Sequence, residues 1–71
     1  MIVFDWQPTG RRYGEALPID AFDDVWAVTF RPGSGWVVIR NRQQLQWKFW
    51  RTKDEAKAFV EAQIKELLND D

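Results

Sequence analysis

Between Val25 and Lys53 the chain carries Arg31, Arg40, Arg42, Lys48, Arg51 and Lys53 and no acid, a local charge of +6. Four of the five Trp (Trp26, Trp36, Trp47 and Trp50) lie in the same stretch. Cations interleaved with aromatics suit nucleic acid, because the cations displace counterions from phosphates and ring faces stack on bases. The flanks have the opposite sign. Residues 1–24 set Asp5, Glu15, Asp20, Asp23 and Asp24 against Arg11 and Arg12, a net −3. Residues 54–71 set six acids against Lys57 and Lys65, a net −4. The whole chain is at −1 with a pI near 5.3, whereas duplex-binding domains usually run strongly basic. The basic stretch therefore reads either as a phosphate footprint or as a solvated edge balancing its acidic flanks.

Catalysis finds no equipment here. The sequence has no His, no Cys and one Ser, so no base–nucleophile pair can be named and the expectation is a protein that is not an enzyme. Without His or Cys a zinc site would rest on carboxylates alone, a poor ligand set for that metal, and no cofactor is expected. The Pro32–Gly35 stretch "PGSG" lacks the Lys-Ser/Thr ending of a phosphate loop and does not precede a helix pattern. The neighbouring pair Asp23–Asp24 would point to opposite faces of a strand, and so would Asp70–Asp71.

The elements that must position these groups are legible in part. Seventy-one residues allow one domain, and the five Trp, five Phe and one Tyr supply most of its core. Thr52 to Glu55 reads as a capping box. It opens a helix over residues 53–68 whose stripe is Ala56, Phe59, Val60, Ile64, Leu67 and Leu68, with Glu61 and Lys65 as an i, i+4 pair on the outer face. Before it come three strand-like runs, "VWAVTFR", "GWVVIRN" and "LQWKFWR", linked by the turn "RPGSG" and the short polar connection "NRQQ". Alternation puts Trp26, Val28, Phe30, Trp36, Val38, Leu45, Trp47 and Phe49 on the face that receives the helix. Trp50 breaks that alternation. In the first 24 residues "MIVFDW" reads as a fourth strand with Ile2, Phe4 and Trp6 on one side, "QPTGRRYGEALP" as a loop, and "IDAFDD" as a helical turn. The expected fold is α+β: an antiparallel sheet of three or four strands packed on one C-terminal helix, residues 1–24 forming a strand and loop, 25–51 the meander and 52–68 the helix.

A three-stranded meander closed by a helix opening T-x-x-E-A resembles the AP2-like domains, which include plant DNA-binding domains and the arm-type domains of phage and transposon tyrosine integrases. The matching residues are "RPGSGW" (Arg31–Trp36) and "TKDEAKAF" (Thr52–Phe59), with Trp50 as the aromatic two residues before Thr52, and the resemblance spans residues 25–68. It implies that the sheet face away from the helix reads DNA. By alternation that face holds Thr29, Arg31, Val37, Ile39, Asn41, Gln44, Gln46 and Lys48. Arg31 and Lys48 would contact guanine or phosphate, and Gln44 and Gln46 adenine edges. Val37 and Ile39 depart from the charged middle strand of plant AP2 domains and suit thymine methyls, a covering N-terminal segment or a protein partner. Arg40 and Arg42 form a basic turn. "GRRYG", with Arg11 and Arg12, reads as a minor-groove arm or as a flexible loop.

Two function classes follow. One is a non-enzymatic nucleic-acid-binding module on the open sheet face, of the kind a phage or mobile element uses as an accessory. The other is a protein-interaction or inhibitor module on the same face, and an unpaired strand edge leaves room for a homodimer. No apolar run is long enough to span a bilayer and the N-terminus lacks a signal pattern, so the expected setting is the cytoplasm.

Overall fold

The computed structural model of the chain describes residues 3–11, 13–18, 24–45 and 48–68. Five antiparallel strands pair in sequential order: β1 (Gln7–Pro8), β2 (Glu15–Ala16), β3 (Trp26–Arg31), β4 (Gly35–Arg40) and β5 (Gln43–Gln44). One helix follows, α1 (Lys53–Leu68). The class is the α+β arrangement expected from the sequence, with five strands instead of three or four. Among the described residues no helix is long and apolar enough to cross a membrane.

The β3–β4 hairpin is the centre of the sheet, paired from Trp26↔Arg40 to Arg31↔Gly35. Its turn has Pro32 at the second position and Gly33 (φ 85°) at the third, and the Ser34 N–H donates to the Arg31 carbonyl at 3.0 Å. That is the chemistry of a type II turn, whose third residue must have positive φ. Alternation then sends Trp26, Val28 and Val38 to one face, where they form the core with Leu17 and with Ala56, Val60 and Ile64 of α1. Phe4, Trp6, Trp36, Leu45, Trp50 and Phe59 are partly buried against that core. Phe30 meets Trp36 edge-on at 5.5 Å.

The cap of α1 is in place: the Glu55 N–H donates to the Thr52 hydroxyl at 3.1 Å. Replacing Thr52 with Ala leaves that donor without its side-chain partner. The expected cost is about 1 kcal/mol, with Thr52→Ser nearly neutral, measured by urea denaturation. Equal losses in both variants would assign the effect to the Thr methyl group instead.

Four expectations need correction. The third strand does not run on from Leu45 to Arg51. Asn41 and Arg42, with φ of 52° and 70°, form a two-residue turn, the geometry of the primed turns that match strand twist. The strand after it lasts two residues. Ile39 pairs with Gln44, yet Trp36 pairs with Trp50. Three steps back along β4 thus correspond to six along the returning chain, which carries three more residues than β4 between the two pairings, the count of a bulge. The Lys48 N–H donates to the Leu45 carbonyl at 3.3 Å within that bulge. Its effect is to seat Trp50 opposite Trp36, where continuous alternation would have placed Trp47. Phe49 is consequently not core but 47% exposed. Trp47 lies outside the described residues.

The second correction concerns the N-terminus. The stretch read as a loop contains the β1–β2 hairpin, closed by Thr9 N–H to the Gly14 carbonyl at 3.0 Å and Gly14 N–H to the Arg11 carbonyl at 2.7 Å. Pro8 is accommodated because β1 is the outermost strand, where a missing N–H is tolerated. Residues 3–6 are not a strand. They lie along α1: the Trp6 indole N–H donates to Glu61 at 2.9 Å, Lys57 sits 5.5 Å from the Trp6 ring centroid, and Lys65 sits 5.8 Å from that of Phe4. Third, Glu61 therefore holds the N-terminal segment and is not the outer-face partner of Lys65. Fourth, Leu67 and Leu68 are exposed. A 16-residue helix is about 24 Å long and a six-residue strand about 20 Å, so the last turn overhangs the sheet. Ile2 and most of "IDAFDD" lie outside the described residues.

Candidate binding face

The three extra residues of the bulge reset which side chains share the open sheet face. Trp50 and Trp36 exchange both backbone hydrogen bonds at 2.8 Å, and Trp50 turns toward the helix, its ring 4.8 Å from that of Phe59. Its neighbours Phe49 and Arg51 therefore point to the opposite face. Two rows result across the three chain segments. Thr29 with Val37 begins one and Arg31 with Gly35 the next, and Phe49 and Arg51 flank Trp50, which pairs with Trp36 between them. Strand spacing puts the Arg31 and Arg51 backbones about 10 Å apart, with a side chain missing between them.

Gly35 is required at that position by geometry. Its φ is 115°, and a Cβ there would lie 2.7 Å from the Trp50 carbonyl oxygen. Gly35 thus admits the Trp50 carbonyl against β4, between two exposed arginines, Arg31 and Arg51.

The residues expected on this face are only partly brought together. Thr29, Ile39 and Gln44 are half-buried on it, and Arg31 is exposed. Val37 points to it but is fully buried, so it supports the face without offering contact area. Lys48 has left it: its ammonium lies 4.9 Å from the Phe59 ring centroid, on the helix side. Arg40 is also on the helix side, stacked 4.9 Å from the Trp26 centroid and bound to Asp24 through Nη2 at 2.6 Å and Nε at 3.0 Å. Asn41 completes that cluster, donating to Asp24 at 2.9 Å and accepting the Val25 N–H at 2.8 Å. Arg42 is exposed at the far turn and Arg11 in the β1–β2 loop. Arg12 and Gln46 lie outside the described residues. Arg51 and Phe49 were missed, because their facing depends on a bulge that alternation does not reveal.

The acids sort the remaining cations. Glu15 is bound by Lys57 at 2.8 Å and Lys53 at 2.9 Å, and the hydrogen bonds from Lys57 and then Lys53 hold its carboxyl below the ordinary range. Asp24 is likewise lowered, first by Asn41 and then by Arg40. Lys53 also lies 5.3 Å from the Trp36 ring centroid. Among the described residues, Arg11, Arg31, Arg42 and Arg51 have no acidic partner. The +6 segment is thus half engaged in holding the fold.

Glu15 gives a pH dependence. Its folded pKa is depressed, so its stabilisation is present above the ordinary carboxylate range and is lost as pH falls through the lowered value. Denaturation midpoints should decline on acidification from about pH 5. Glu15→Gln should cost roughly 1–2 kcal/mol at neutral pH and flatten the acid limb. An acid limb unchanged in that variant would assign the dependence to other carboxylates.

The chain matches no protein-family model, no curated protein and no solved structure.

Proposed function

We propose that the protein is a small, non-enzymatic nucleic-acid-binding module that holds the sugar–phosphate backbone on the sheet face turned away from α1. The observation that supports it is that Arg31 and Arg51, both exposed and without an acidic partner among the described residues, flank Gly35 on that face. Guanidinium recognises phosphate oxygens by paired hydrogen bonds. The reading carries with it a cytoplasmic setting and, through the AP2-like resemblance, an accessory role in a phage or mobile element.

Fluorescence polarisation with labelled oligonucleotides at low and high salt tests it. Arg31→Ala and Arg51→Ala should each weaken binding and reduce the salt slope by about one, with Lys65→Ala, on the helix, without effect. Failure of the wild type to bind any oligonucleotide at low salt would end this reading. A second reading, a protein or a second copy docked on the same face, draws on the exposed ring of Phe49. Sedimentation of the free protein checks the second copy directly.

A further inference from the structure

We infer that the nucleic acid bound is single-stranded, with Phe49 stacking one base while Arg31 and Arg51 hold the flanking phosphates. The inference rests on the nucleic-acid reading and adds the class of ligand. Phe49 is a large aromatic left 47% exposed. It sits in the row next to Arg31–Gly35–Arg51, roughly 7 Å along the strand direction. Gly35 lets the segment that carries Phe49 close on β4, since a Cβ there would lie 2.7 Å from the Trp50 carbonyl oxygen. Fully buried Val37 pairs with Thr29 on the neighbouring strand.

Three properties select a single strand over a duplex. A ring lying on a sheet can stack only on a base whose own face is free, which paired bases inside a duplex do not offer. Two phosphate-binding groups on a chain of net charge −1 are few for a duplex footprint, whose binders are strongly basic. Of the residues expected to read base edges, Lys48 lies on the helix side and Gln44 is half-buried. What remains is an aromatic surface with adjacent cations, the arrangement that binds single strands with little sequence preference.

The test is polarisation of a labelled oligo-dT and of a blunt hairpin duplex of equal length, with the full chain at two salt concentrations. The single strand should bind tighter, with a salt slope near −1.4, about 0.7 for each of two phosphates. Phe49→Ala should weaken oligo-dT binding by roughly five- to a hundredfold without changing that slope, and Phe49→Tyr should restore it. Circular dichroism checks folding in each variant. Equal or tighter duplex binding, or a Phe49→Ala variant of wild-type affinity, overturns the single-strand inference and leaves the phosphate row standing if Arg31→Ala and Arg51→Ala still weaken binding. No binding to either probe overturns both, and a dimer in sedimentation dissociated by Phe49→Ala would replace them with a protein interface.

Discussion

Trp26→Ala is expected to lower stability by about 3–5 kcal/mol, the usual cost of removing a large aromatic side chain from a core. Trp26 is 1% exposed at the centre of the cluster, which includes residues from β3, β4 and α1, and it carries the Arg40 guanidinium on one ring face. The loss therefore combines an emptied site with an arginine and its Asp24 partner deprived of their platform. Small domains bury a modest share of their surface, and total stabilities run from about 5 to 15 kcal/mol. Most of the margin would go. Urea denaturation followed by circular dichroism checks this, and Trp26→Phe should retain a substantial part of the midpoint. A Trp26→Ala midpoint equal to wild type would remove Trp26 from the centre of the core.

Gly35→Ala is expected to cost on the order of 3 kcal/mol, from two sources that a control separates. One is the backbone: a φ of 115° lies where L side chains are strained by about 1–3 kcal/mol. The other is steric. The new methyl would lie 2.7 Å from the Trp50 carbonyl oxygen, the acceptor of the Trp36 N–H, so the pairing must open and about 1 kcal/mol of hydrogen bonding is lost with it. Gly33 has a similar sign of φ, 85°, and open space around its Cβ position. Gly33→Ala should show the strain alone, and the difference between the two variants reports the closure of Trp50 on β4. Equal losses would mean that the Trp36–Trp50 pairing contributes little.

The parts of the fold that alternate over several residues, or carry turn and cap chemistry, were legible. The β3–β4 strands have six residues each around a Pro-Gly turn, and Thr52 begins a helix whose Ala56, Val60 and Ile64 all reach the core. The N-terminal hairpin was not legible because its strands have two residues each, one of them Pro8, with no β-branched residue to mark them. The bulge was not legible because "LQWKFWR" satisfies two registers of apolar alternation, Leu45/Trp47/Phe49 and a later one that uses Trp50. The site inherits both facts. Arg31 lies on a regular strand and was placed on the open face from the sequence. Lys48, Phe49 and Arg51 lie beyond the bulge, so Lys48 was assigned to a face it leaves and the other two went unnoticed.

The sequence offers two tryptophans, Trp47 and Trp50, for one place opposite Trp36, and the structure fills it with Trp50. A chain that closed without the three extra residues would pair in a continuous ladder and gain hydrogen bonds early, since such contacts are local. It would lose the stacking of Trp50 on Phe59. Gly35 bears on the outcome, because it alone on β4 lets a carbonyl approach as closely as Trp50 does. The Trp50–Phe59 ring contact thus ties the register of the returning chain to the docking of α1.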